Sequence, residues 1–518
     1  MNNLAFKLIQ NYKNNPDKIC LVQDGSQITY KDLYGKVKEF KKYLLSKGIK
    51  KESKVLVLVP MSINLYVTLI SLWTIGAVPC FMDAGFIKNG MKKNEFANVD
   101  GLIGITKYLL YSNINSNLKK LNIKINANVI DKLDTTNDEL SIEEVKSSSD
   151  AIITYTSGTT GKPKIAARSH EFLLTQANIL ENCLDYASED IELSTVPIFT
   201  LSNISSQITT VIANANFSDL GSSKAKRIVK QIEENKINRI MAAPGLLNVI
   251  INYCQENSIV LENVKKIFTG GGAVFVDFIK ELKIVFPNSK IVTLYGSTEA
   301  EPIAEQDVTN INEDDLEKTI NGNGILAGKI VGVTDCKIIN SKEKTIGPLT
   351  TEEFINMQTE NIGEIVVTGD NVLKGYVGGY GDKENKFSVD GTIYHRTGDL
   401  GIIDETGRLW LRGRIKNPYF DIEASLHAKF ELGKIAVVEK DNKLILVLEK
   451  ADKNAIGLQS DSNKLIDKSA FDKTKIDEKY LIDSIKFKKI DEIKYVKKIP
   501  VDKRHSTKVD YNTLIKMI

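Results

Sequence analysis

Apolar and polar positions along this chain recur with two periods. In residues 30–47, Leu33, Val37, Phe40, Leu44 and Leu45 return at helical spacing among lysines, which predicts an amphipathic surface helix. The run 54–59 is short and β-branched and stops at Pro60, which predicts a strand. The alternation then repeats. Strands are expected at 150–155, 239–242, 265–269 and 290–294, with helices at 171–184 and from Gly245. Short apolar strands separated by helices predict parallel sheets covered on both faces, so the long N-terminal part reads as α/β. After Asn361 the texture changes to short strands with glycine turns, at 363–368, 401–404 and 408–411, the pattern of a β subdomain. A second, smaller unit begins at Ile415, with a hairpin-like pair of strands, 435–439 and 444–448, around Asp441-Asn442. Residues 451–478 are polar, rich in Lys, Asp and Ser, and announce no element. Residues 485–518 are basic.

One stretch tests the membrane alternative. From Val55 to Met82 no residue is charged. Pro60, Asn64, Gly76 and Pro79 divide the run, and Ser62 is a plausible N-cap. The apolar helix after Ser62 runs about 12 residues, or ~18 Å. A hydrocarbon core is about 30 Å thick. A buried strand followed by a buried helix is therefore expected, not an integral membrane segment.

The 518 residues suffice for roughly three folding units at about 150 residues each. A chain of this length buries a core without disulfide or metal staples. The 69 basic and 66 acidic residues leave a net charge of +3, so there is no nucleic-acid footprint. Five scattered cysteines, Cys20, Cys80, Cys183, Cys254 and Cys336, form no CxxC pair and read as reduced core thiols. With no signal-peptide core in residues 1–18, a cytoplasmic location is expected. Four histidines, His170, His395, His427 and His505, assemble no zinc motif.

The strongest chemical signal is Thr154-Tyr155-Thr156-Ser157-Gly158-Thr159-Thr160-Gly161-Lys162-Pro163-Lys164, directly after a strand. Backbone N–H groups, hydroxyls and lysines packed together suit a polyphosphate. Gly158 and Gly161 are too close for a Walker A loop, which disfavours a P-loop kinase or GTPase. The plain alternative is an exposed Gly/Thr hairpin turn.

This loop resembles the phosphate loop of the adenylate-forming superfamily, which includes acyl-CoA synthetases, peptide-synthetase adenylation domains and luciferases. Further motifs follow in the family's order across nearly the whole chain. Leu294-Tyr295-Gly296-Ser297-Thr298-Glu299 resembles the YGxTE motif. The resemblance implies that Tyr295 stacks on adenine, Thr298 bonds the α-phosphate and Glu299 holds Mg²⁺. The alternative there is a tight turn with a helix-capping Thr298 and a first-turn Glu299. Tyr394-His395-Arg396-Thr397-Gly398-Asp399-Leu400 resembles the YxTGD motif, which makes Asp399 the ribose-hydroxyl acceptor, against a plain Gly-Asp β-turn. His395 is read as a surface or packing residue. Leu411-Arg412-Gly413-Arg414-Ile415-Lys416 resembles the inter-domain hinge, with Arg414 on ribose or phosphate and Lys416 at the pivot. The 500–510 segment resembles the C-terminal lysine motif, and Lys508 is then the residue that bridges the attacking carboxylate and the α-phosphate. Weaker acyl-pocket candidates are Phe199 and Thr200 in Pro197-Ile198-Phe199-Thr200, and Gly271, Gly272 and Ala273 in a GGAP-type segment. Phe199 is equally readable as core.

The resemblance implies a large domain, 1–413, holding the ATP and acyl sites. A small mobile α+β lid, 414–518, would carry Lys508. It implies ATP-dependent adenylation of a carboxylic acid, fatty or β-hydroxy fatty, releasing pyrophosphate, with Mg²⁺. Such chemistry needs positioning and cationic groups more than a side-chain nucleophile, and no Ser-His-Asp set is visible.

Three departures bear on the second step. Thr200 stands where many CoA-dependent members have His. After Arg414 the usual KxxGxRI segment, which enters the site during thioesterification in CoA-using relatives, is replaced by Asn417-Pro418-Tyr419-Phe420-Asp421-Ile422-Glu423. Thr507 precedes Lys508 where most members have Gly. The terminal motif resembles that of the olefin β-lactone synthetase branch, in which the acyl-adenylate of a β-hydroxy acid closes on its own hydroxyl. Lactone closure thus competes with acyl-CoA formation, and transfer to a carrier-protein thiol is third. A non-catalytic nucleotide-binding homologue is a distant alternative; loss of Glu299 or Lys508 would have favoured it. Acid chain length and oligomeric state have no sequence signature.

Overall fold

The computed structural model describes residues 2–82, 99–115, 117–134, 139–156, 164–214, 222–331, 335–340, 343–449, 457–458, 478–501 and 508–518. The chain divides into two compact units, the first comprising Met1–Asn216, Ser223–Ala242 and Asp370–Lys383, the second Phe217–Ser222, Ala243–Gly369 and Glu384–Ile518.

The first unit holds two sets of mainly parallel strands. In one the order is Ile123–Asn126, Gly101–Gly104, Lys54–Leu58, Val78–Met82, Asp150–Thr156 and Lys164–Ser169, with the last pair antiparallel. In the other, Arg239–Met241, Ile191–Ser194, Thr209–Ile212 and Ile19–Gln23 run parallel, and Ser26–Thr29 turns back as a hairpin. The uncharged stretch resolves as strand, helix and strand. The Ser62 hydroxyl accepts from Leu65 N–H at 3.2 Å and starts the helix Ile63–Ile75; Gly76, at φ 73°, ends it in the left-handed conformation. Leu65 to Ile75 is buried throughout, which explains why charge is absent there. No helix among the described residues is long and apolar enough to cross a membrane. The predicted helix 30–47 is Tyr30–Ser46, capped by Thr29 and Asp32. It buries Leu33, Val37, Phe40 and Leu44, whereas Leu45 falls on the outer face and is exposed.

The second unit starts with a parallel pair, Lys266–Gly270 and Lys290–Ser297, and continues antiparallel through Ala300–Asp307, Ile325–Ile330, Arg408–Arg414, Thr392–Ile403, Gly363–Thr368 and Asp335–Ile339. The change to antiparallel pairing comes at Ala300, well before the expected Asn361. The strand Ala300–Asp307 reads Ala-Glu-Pro-Ile-Ala-Glu-Gln-Asp and carries no apolar run to betray it. The strand expected at 401–404 is the tail of a single twelve-residue strand, Thr392–Ile403.

Beyond Arg414 the same unit is α+β. Helix Phe420–Lys429 packs on a sheet of Ile435–Lys440, Lys443–Glu449 and Glu492–Val496. The first two strands form the expected hairpin, and Asp441 and Asn442 both have positive φ, 51° and 58°, as a type I′ turn requires. All five cysteines are buried, and none is in a disulfide.

Candidate active site

The phosphate-loop segment begins where Asp150–Thr156 ends. Thr156 pairs with Lys164 at the first register of the antiparallel ladder, so strand pairing pins the two ends of the loop together. Ser157, Gly158, Thr159, Thr160 and Gly161 lie outside the described residues. Lys164 places its ammonium 5.0 Å from the centre of the Tyr376 ring. Tyr376 is a neighbour that the sequence reading missed, because nothing in its local pattern marks it.

Phe199 and Thr200 sit near the start of helix Pro197–Ser205, and both are buried. Thr200 Oγ1 donates to Ser194 Oγ at 3.0 Å. The same helix is tied down by Asn203, whose amide donates to Glu192 at 2.6 Å and Thr210 at 3.0 Å. Glu192 is fully buried, and burial raises its carboxyl pKa. Arg239 pairs with it at 2.7 Å.

In the second unit, strand Lys290–Ser297 delivers Tyr295, and Ser297 pairs directly with Ala300. Thr298 and Glu299 are therefore the two loop residues of a β-hairpin. The helix-cap alternative fails, because the chain turns straight into strand Ala300–Asp307. Glu299 N–H donates to Ser297 Oγ at 3.2 Å, which fixes the turn. Gly296 is required by packing: a Cβ there would lie 2.9 Å from the Ala300 carbonyl oxygen. Gly271, Gly272 and Ala273 follow strand Lys266–Gly270, and Gly271 has φ +79°.

The YxTGD-like segment is not a turn ahead of a strand. It lies inside Thr392–Ile403, with Gly398 at φ 71° and a register shift between Leu400 and Gly401. That irregularity sets Asp399 opposite Arg414 in the ladder. Asp399 Oδ2 accepts from the Tyr295 hydroxyl at 2.8 Å, and Oδ1 pairs with Arg414 Nε at 2.9 Å. Three residues from three separate motifs are thus in one contact set. Burial first, and the Asp399 charge second, hold the Tyr295 phenol pKa well above its usual range, so it stays a donor. Thr397, which sequence reasoning passed over, orients the group: its hydroxyl accepts from Asp399 N–H at 3.0 Å and donates to the Ile365 carbonyl at 2.9 Å. His395 is buried and bonded to the Asn385 carbonyl at 3.1 Å, a packing role.

The hinge candidate is compact. Arg414 and Asn417 exchange backbone hydrogen bonds of 3.0 and 2.8 Å, with Lys416 exposed on the turn. Gly413, at φ +138°, is forced, since a Cβ would come within 2.8 Å of the Asn417 oxygen and of Pro418. Lys508 is exposed beside the Val501–Val509 bridge, at the approach to helix Tyr511–Met517. Among the described residues no group of three or more His, Cys, Asp or Glu side chains is placed to hold a metal ion.

The fold and these motifs define an enzyme of the acyl-adenylate-forming ligase class. The chain belongs to the AMP-binding enzyme family, whose pattern it matches over residues 8–377. It is similar to an olefin beta-lactone synthetase of Xanthomonas campestris pv. campestris, 23% identical over 443 residues, covering 80% of this chain and 78% of that one. It is also similar to the chloroplastic/peroxisomal 2-succinylbenzoate–CoA ligase of Arabidopsis thaliana, 28% identical over 270 residues, covering 51% and 46%. Among solved structures, ATP-bound MatB from Rhodopseudomonas palustris shares the fold with a TM-score of 0.77 at 17% identity, covering 100% of this chain and 99% of that one.

Proposed function

We propose that this enzyme uses ATP to adenylate a β-hydroxy fatty acid and then closes the acyl-adenylate to a β-lactone without CoA. In the first step a carboxylate oxygen attacks the α-phosphorus and pyrophosphate leaves. In the second the substrate's own β-hydroxyl oxygen attacks the acyl carbon, its proton is lost and AMP leaves. The lactone is one water lighter than the acid.

The roles assigned are those the motifs imply. Residues 156–164 cradle the phosphates, and Lys164 supplies charge. Tyr295, held by Asp399, offers a ring face to adenine. Asp399 keeps lone pairs for a ribose hydroxyl, because each carboxylate oxygen has more than one acceptor site. Arg414 neutralises it. Thr298 donates to the α-phosphate. Lys508, on the segment 414–518 acting as a lid over the body 1–413, stabilises charge on the pentavalent phosphorus. Phe199 and Thr200 in the first unit, and Gly271, Gly272 and Ala273 in the second, are the residues assigned to the acid. Mg²⁺ is held by one or two carboxylates plus substrate phosphates, so Glu299 in its hairpin turn fits as a single protein ligand. When bound, the ion neutralises phosphate charge.

The observation that carries the second step is the hinge. Strand Arg408–Arg414 passes to helix Phe420–Lys429 through residues 415–419 alone. That leaves no room for the glycine-containing segment expected of thioester-forming relatives. Similarity to a CoA ligase favours a second reading, acyl-CoA formation. Transfer to a carrier protein is third. Five buried cysteines outside any disulfide fit a reducing compartment such as the cytoplasm.

Mass spectrometry of products from ATP, Mg²⁺ and a β-hydroxy acid, beside its deoxy analogue, with and without CoA, tests the proposal. A CoA-independent product one water lighter than the β-hydroxy acid is expected. Acyl-CoA from both acids would overturn lactone closure.

A further inference from the structure

Helix Thr106–Ile114 breaks the rule that a surface helix is apolar on one side only. Its inner side, Tyr108, Leu109 and Tyr111, packs with Val99 and Leu121 against the core around Leu102 and Leu118. Its outer side carries Leu110 and Ile114, one turn apart and 66% and 79% exposed. Single exposed aliphatic residues are ordinary. Two aligned on a helix whose other face is already anchored are not explained by folding.

Among the described residues, the elements packed against this helix carry charge of one sign. Lys107 lies one turn before Leu110 on the same face. The elements packed against this helix are strand Gly101–Gly104, turn Leu118–Lys120 and edge strand Ile123–Asn126. They contribute Lys119, Lys120 and Lys124, and residues 101–130 contain no Asp or Glu. Lys119 and Lys120 are exposed. Lys124 donates to Asn113 at 2.9 Å, which holds it at the helix's outer end. Lys107 lies 5.9 Å from the Tyr108 ring centre.

We propose that helix Thr106–Ile114 with Lys107, Lys119, Lys120 and Lys124 docks the enzyme on an anionic lipid surface. Leucine and isoleucine enter the acyl boundary while lysine stems reach back to phosphate level. Four lysines beside an aliphatic stripe complement that surface. This inference does not depend on which second step the enzyme performs.

The test is co-sedimentation of the full chain with phosphatidylcholine vesicles, with and without phosphatidylglycerol. Binding is expected only with phosphatidylglycerol, and weakening as salt rises. Leu110→Ser/Ile114→Ser should lower affinity roughly tenfold or more. Lys119→Glu/Lys120→Glu should do the same. These side chains are exposed, so melting temperature and pyrophosphate exchange with a soluble acid should stay at the parent value. Equal binding by parent and variants, or no binding to phosphatidylglycerol vesicles, would overturn the proposal. So would a halved mass of Leu110→Ser/Ile114→Ser in light scattering, which would assign the face to a second copy of the chain.

Discussion

The Tyr295 hydroxyl donates to Asp399 over 2.8 Å, and so ties the strand leading into the Thr298-Glu299 turn to the middle of strand Thr392–Ile403. Arg414 completes the set from the neighbouring strand. Any nucleotide that uses Asp399 meets a carboxylate whose orientation is already fixed from two sides.

Asp399→Asn removes the charge and one of the two acceptor oxygens. Loss of a charged hydrogen-bond partner is worth about 1.5–3 kcal/mol, or roughly ten- to a hundredfold in apparent ATP affinity. ATP–pyrophosphate exchange should show that rise in KM for ATP. The Arg414 pair is half-exposed, so the melting temperature should move little. An unchanged KM would remove Asp399 from the nucleotide site.

Lys508→Ala should keep ATP binding and lose about 10²–10³-fold in acyl-adenylate formation, as expected for a donor acting on transition-state charge. Calorimetric ATP binding alongside hydroxylamine trapping of the adenylate separates the two. Full turnover by the variant would show that Lys508 is a solvated lysine only.

Glu423 gives a pH prediction. It is buried on helix Phe420–Lys429, accepts from Val437 N–H at 2.9 Å and from the Tyr511 hydroxyl at 3.2 Å, and burial pushes its pKa up from 4.5 to about 8. The folded state therefore favours the protonated carboxyl. Its stabilisation is complete below about pH 4.5, falls as pH rises towards about 8, and is gone above that. At about 1.4 kcal/mol per pKa unit the loss is on the order of a few kcal/mol. Glu423→Gln stays neutral and keeps an acceptor oxygen, so its melting temperature should gain on the parent steadily between pH 5 and pH 8. Parallel pH profiles would contradict the buried-acid account.

Much of this was legible in the sequence because the signals are local. Ser62 and Gly76 announced the two ends of a buried helix, and Asp441-Asn442 announced a hairpin. The run of motifs announced the family. What stayed hidden depends on distant pairing. The strand Ala300–Asp307 is polar, so only its partners reveal it. For Asp399 a plain Gly-Asp turn stood as the alternative to a ribose acceptor, because Gly398 is a turn residue by composition; the irregularity inside a long strand follows from register with Arg408–Arg414. Thr397 and Tyr376 act through contacts that no spacing rule encodes. The short hinge, by contrast, was visible as missing sequence, and strand and helix boundaries place its residues 415–419.

The most direct test counts AMP released per enzyme without CoA, with a β-hydroxy acid and with its deoxy analogue. Continuous release from the β-hydroxy acid and no more than one equivalent from the analogue is the predicted result. AMP release that requires CoA for both acids would contradict the account.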